Sequence, residues 1–87
     1  MELEPEDMKA VILRMKRAHG HLASVIRMLE EGAECEDALT QLAAVNKALS
    51  RSGYAIVASG LQQCIAKPDG LSDMDAKKME KLFLSLA

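Results

Sequence analysis

Apolar residues in the first third of the chain recur at helical spacing. Met8, Val11, Ile12, Met15, Leu22, Val25, Ile26 and Leu29 follow the i, i+3, i+4, i+7 pattern of one helix face. Pro5 suits a first helical turn, and Glu6 and Asp7 suit the positive end of the helix dipole. Gly32 is a natural C-cap, so the spacing predicts a first helix of about 26 residues. A second apolar pattern starts near Glu34 and runs to about Ala66, where the Lys67-Pro68-Asp69-Gly70 turn stops it. Ser72, with Asp75 three residues on, forms a variant of the capping box that opens a short third helix. Leu71, Met79, Leu82, Phe83 and Leu86 would be its apolar stripe. No strand pattern, repeat or low-complexity linker interrupts this order. The prediction is an all-α, three-helix protomer in one domain spanning 1–87.

Length adds a constraint. At 1.5 Å per residue the second helix is roughly 45–50 Å long. A compact chain of this size has a radius of gyration near ~12 Å and a diameter of about 30 Å. The helix carries Leu39, Leu42, Val45, Leu49, Ile56, Val57, Leu61 and Ile65, with alanines around much of the rest. An apolar circumference needs cover on several sides, and one short third helix is too little, so the protein is expected to be an obligate helical oligomer. Cys35 and Cys64 lie 29 residues apart, roughly 43 Å along a straight helix, whereas a disulfide needs α-carbons within ~7 Å. They cannot meet within one helix. Two copies crossing antiparallel between Leu49 and Ser50 would bring Cys35 of one beside Cys64 of the other, twice per dimer.

Composition refines the picture. The 87 residues are 49% apolar, which excludes a disordered tail. The net charge is −2, so the bulk charge gives no sign of a nucleic-acid partner, but its distribution is uneven. Lys9, Arg14, Lys16, Arg17 and Arg27 fall in a stretch without acids, bracketed by Glu2, Glu4, Glu6 and Asp7 before it and Glu30, Glu31, Glu34, Glu36 and Asp37 after it. Such a run is either a solvated helix face or a phosphate-binding surface. The acidic start has no leader-like apolar run, and no stretch approaches the ~20 residues of a membrane span. The expected location is cytoplasmic, with no membrane partner. Two cysteines in a reducing compartment point to metal binding, redox chemistry or packing rather than a structural disulfide. No acid–base or nucleophile–histidine constellation suggests an enzyme.

The stretch from Arg14 to Gly53, RMKRAHGHLASVIRMLEEGAECEDALTQLAAVNKALSRSG, followed by GLQQC at 60–64, resembles the CsoR/RcnR family of bacterial repressors. The most specific part is MLEEGAECEDALTQLAAV, from Met28 to Val45, with Cys35 at the start of the second helix. That family includes sensors of copper, nickel or cobalt, formaldehyde and persulfide. The resemblance implies an antiparallel helical dimer assembling into a tetramer, a dimer of dimers, that binds operator DNA through basic helical faces without a helix-turn-helix. On this chain Arg14 and Arg17, one turn apart, with His21 extending their face, Lys9 and Lys16 in a neighbouring row, and Arg51 in the second helix would form that surface.

The resemblance also implies an inducer site shared between protomers. Its first position matches Cys35, and its next two match Gly60 and Cys64. Copper sensors of the family have histidine and then cysteine at those two, and nickel or cobalt sensors have histidines. Gly60 is therefore a lost ligand position. His19 and His21 lie in the first helix outside this motif, and His21 stands where many relatives have glutamine. A two-cysteine site without the histidine looks like the persulfide-sensing CstR branch. There Cys35 would take sulfur from a persulfide or polysulfide, and Cys64 of another copy would resolve it. The positive end of the second helix favours a Cys35 thiolate, while Glu34, Glu36 and Asp37 oppose it.

The leading expectation is thus a thiol-switched repressor that needs no cofactor and no metal. The runner-up is a Cu(I) sensor using Cys35 and Cys64 with an altered ligand set. A formaldehyde sensor of this family would use an N-terminal proline, and here position 2 is Glu2. Outside the family, the remaining readings are a plain helical interaction protein with buried cysteines, and a sulfur carrier that would leave the basic helix unexplained.

Overall fold

The computed structural model describes residues 2–65 and 73–86, and among these the chain is helical with no strand. The chain enters through a single 3-10 turn, Pro5–Met8, before α1, Lys9–Glu30. The sequence pattern predicts one continuous helix here. Pro5 lacks an N–H, and the Asp7 N–H reaches back only three residues to the Glu4 carbonyl, 3.0 Å, which tightens the entry into 3-10 geometry.

The end of α1 is set by Gly32, at φ +84°. The Gly32 N–H donates to the Leu29 carbonyl (3.3 Å) and the Ala33 N–H to the Met28 carbonyl (2.9 Å). These are the two bonds of a Schellman cap, which reverses the chain in four residues. The next helix, α2, spans Cys35–Ile65, 31 residues. Its first turn is tied back by the Ala38 N–H to the Glu34 carbonyl, 3.0 Å. The third, α3, spans Asp73–Ser85. The expected Lys67–Gly70 turn, the Ser72 cap, Ala66 and Leu71 lie outside the described residues.

Packing between α1 and α2 is narrower than the sequence pattern suggests. The buried residues of α1 are Val11, Ala18 and Val25, and those of α2 include Ala38, Val45 and Ser52. Each set repeats every seven residues, the period of a seam between nearly aligned helices. The two sets are evenly disposed about the turn at residues 31 and 32, so an antiparallel register puts Val25 level with Ala38, Ala18 with Val45, and Val11 with Ser52. Each level thus sets one valine against one small side chain, which lets the backbones approach. Ser52 is 1% exposed, and its hydroxyl donates to the Ala48 carbonyl at 3.0 Å, so its burial leaves no unpaired oxygen.

On its own, α3 adds little cover. Met79 is buried, and the Tyr54 and Phe83 rings meet at 5.2 Å between centroids. A Cβ on Gly53 would lie 2.8 Å from a Leu86 methyl, so the missing side chain lets Leu86 seat against α2. Much of the expected apolar stripe stays open: Ile12, Met15, Ile26 and Leu29 on α1, Leu39, Leu42 and Leu49 on α2, and Leu82 and Phe83 on α3 are all exposed. The molecule measures 55 × 25 × 14 Å with a radius of gyration of 16.7 Å, well above the ~12 Å of a compact chain of this length. It is a single layer of helices.

Candidate functional site

Two regions hold most of the residues singled out by the sequence. The first is a groove of about 540 Å³ on one side of the α1–α2 hairpin, lined by Arg14, Arg17, Ala18, His21, Ala48 and Arg51. The i, i+3, i+7 spacing of Arg14, Arg17 and His21 puts them in one row of α1, and the hairpin register brings Arg51 to face that row from α2. Ala18 and Ala48 form a low floor between the charges. Among the described residues no acidic side chain lines the groove.

His21 is half-buried, and its Nε2 lies 2.5 Å from Gln41 Oε1, a side-chain bond that ties α1 to α2. Gln41 was not singled out by sequence reasoning. The signal lay in the register, since positions 21 and 41 are almost equally far from the turn at 31 and 32.

Lys9 and Lys16 are outside the groove lining. The sequence reading put them in a row neighbouring the arginines. At 3.6 residues per turn, however, Lys16 is rotated about 130° from the centre of the Arg14–Arg17–His21 row, and Lys9 about 110°. Lys9 Nζ instead pairs with Glu6 Oε2 at 2.9 Å, an exposed i, i+3 contact of small energetic weight.

The second region comprises the two ends of α2. Cys35 is the first residue of the helix, exposed and free, beside the acidic first-turn residues Glu36 and Asp37. Cys64 is in the last turn of the same helix. The helix is unbroken between them, so within one chain they stand roughly 43 Å apart. Gly60, one turn before Cys64, is buried and opens on an apolar cavity of about 160 Å³ lined by Leu3, Ile56, Val57, Met79 and Leu82. The N-terminal segment thus reaches α2 beside the Gly60 position, a placement with no local sequence signal.

Metal chemistry has a definite test here. A three-coordinate site needs three soft or imidazole donors converging on one point. Among the described residues no group of three His, Cys, Asp or Glu side chains lies together in a way that could hold a metal ion. Gly60 supplies no donor, His21 is engaged with Gln41, and Cys35 stands apart from both. The described residues of one chain do not by themselves fit a metal site.

Residues 7–85 match the sequence profile of a family described as "Metal-sensitive transcriptional repressor". The chain is 40% identical over 58 residues to the copper-sensing transcriptional repressor CsoR of Mycobacterium ulcerans, covering 67% of this chain and 50% of that protein. It is 33% identical over 54 residues to the copper-sensing transcriptional repressor RicR of Mycobacterium tuberculosis, covering 62% of this chain and 56% of that one. An uncharacterized protein in the bioA 5′ region of Serratia marcescens is 28% identical over 80 residues, 92% of this chain and 88% of its own length. The chain spans about half the length of the curated CsoR relatives it matches. No solved structure matches it. No helix among the described residues is long and apolar enough to cross a membrane.

Proposed function

This chain belongs to the metal-sensitive transcriptional repressor family, and we propose that it is a DNA-binding repressor switched by sulfur chemistry at Cys35 and at Cys64 of a second copy. DNA enters through the groove of Arg14, Arg17, His21 and Arg51. Guanidinium groups there hold backbone phosphates, which supply affinity and register rather than sequence readout. The single observation that carries the inducer assignment is Gly60: one turn before Cys64, where a third donor would stand, there is no side chain, and the neighbours Leu3, Ile56, Val57, Met79 and Leu82 are apolar.

Two thiols without a third donor suit exchange chemistry. The Cys35 thiolate attacks the outer sulfur of a hydropersulfide. An Sγ–S bond forms while the donor's S–S bond breaks, and the donor leaves as a thiolate. The Cys64 thiolate of the second copy then attacks Sγ of the Cys35 persulfide, forming a disulfide and expelling hydrosulfide. The donor is the oxidant, and nothing further is consumed. The exposed apolar residues of all three helices support the second copy on which this site depends, and an antiparallel dimer assembling into a tetramer would cover them. A bridge joining the ends of two long helices would fix their crossing angle, and with it the spacing of the arginine grooves.

The copper-sensing names of the relatives favour a second reading, in which Cu(I) is the inducer and the two thiols hold it. One experiment separates them: mass spectrometry and DNA binding, each after treatment with a polysulfide and after Cu(I). The expected result is a cross-chain product joining Cys35 and Cys64 after polysulfide, with weakened DNA binding that Cys35→Ser abolishes as a response. Unchanged DNA binding after polysulfide, with release by stoichiometric Cu(I), would reverse the assignment.

A further inference from the structure

His21 differs from the other groove residues in being able to change charge near neutral pH, and its hydrogen bond defines how. Gln41 Oε1 only accepts, so His21 Nε2 carries the hydrogen of their 2.5 Å bond in the neutral ring as well as in the cation. The bond therefore survives titration, and Nδ1 is the nitrogen that gains or loses a proton. The charged groups lining the groove beside the ring are Arg14 and Arg17 from α1 and Arg51 from α2, with Gln41 uncharged and no carboxylate among the lining residues. A phosphate placed among these cations and against the ring adds a negative charge that favours the imidazolium.

We infer that His21 couples DNA binding to proton uptake, with Gln41 as the positioning residue that holds its ring in the groove through both charge states. The inference rests on the reading of this groove as the DNA surface. The sign is definite. Binding favours the protonated ring, so the extra affinity is fully present at low pH and is lost as pH rises through the titration of the bound form. Each groove gains one more phosphate contact at low pH, and the dependence of log K on log salt steepens by about 0.9 per groove engaged.

The test uses the full chain and a fluorescently labelled, mixed-sequence DNA duplex at low salt, with affinity measured across about pH 5.5 to 8. The duplex suffices because phosphate contacts are independent of sequence. The wild type is expected to bind about threefold or more tighter per groove at the acidic end, with the steeper salt dependence there. His21→Gln, neutral at every pH and able to bond Gln41, is expected to flatten both responses. NMR of the His21 ring should show it titrating at higher pH with DNA bound than without. The proposal is overturned if His21→Gln keeps the wild-type pH profile, or if the ring titrates identically with and without DNA. Arg51→Ala separates the levels of failure. If it leaves binding intact, the groove is not the DNA surface, and both this inference and that reading fall. If it weakens binding while the His21 results are negative, only the proton coupling falls.

Discussion

Gly32 shows how one residue sets the course of the chain. Its φ of +84° lies where a side chain is penalised by about 1–2 kcal/mol, and a Cβ there would meet no other atom within 4 Å, so the cost is backbone strain alone. Alanine would recover part of this by restricting the unfolded chain, by about 0.4–1 kcal/mol elsewhere in proteins. The net expectation for Gly32→Ala is a loss of roughly 1 kcal/mol, read as a lower urea midpoint with unchanged slope. This cap was legible in the sequence because glycine after a helical run has few other uses. The role of Gly60 was half legible. Its lack of a donor follows from the residue type, but its apolar surroundings depend on Leu3 and Met79, which come from two other parts of the chain.

At the scale of elements, the instructive feature is a seam of period seven inside helices whose apolar pattern is much broader. The 3.6-residue spacing revealed the existence of α1 and α2, and the turn chemistry at Gly32 revealed where they part. Spacing alone does not separate the Val11, Ala18, Val25 row, which packs within the hairpin, from Ile12, Met15 and Ile26 beside it, which do not. Which apolar row goes inside is decided by the small residues opposite, Ala38 and Ser52, and hence by tertiary register. The seam predicts a contrast. Val45 is 1% exposed at its middle, and Val45→Ala is expected to cost about 2 kcal/mol in chemical denaturation, through lost burial plus a cavity between helices that cannot close. Arg14, Arg17 and His21 were legible as one row by the same periodicity. Arg51 was legible only through the family resemblance, and Gln41 became visible only once α2 folded back on α1.

For the whole molecule, thickness is the governing dimension. At 14 Å in its narrowest direction the chain has one layer of helices, and large apolar side chains such as Leu39, 59% exposed, have no second layer to meet. Monomeric proteins seldom leave such a surface open, so folding and association should be coupled, with stability that depends on protein concentration. Replacing Leu39 and Leu42 together by Glu puts charge on this face without touching the hairpin seam. The expected outcome in sedimentation experiments is a shift to smaller species and, after polysulfide, loss of the cross-chain cysteine product. A double variant that sediments and cross-links like the wild type would contradict the proposed face.

The unbroken 31-residue α2 also constrains how this protein can change length. A helix has no slack: each residue inserted between Cys35 and Cys64 pushes them apart by ~1.5 Å and turns one against the other by about 100°. A loop in that interval would absorb small insertions, but a continuous helix converts each one into a change of both reach and direction. Only steps near whole turns, such as seven or eleven residues, restore the phase, and even these displace the thiols along the axis. The interval between the cysteines is therefore quantised, and drift by single-residue insertions or deletions in α2 is closed to a working copy of this protein.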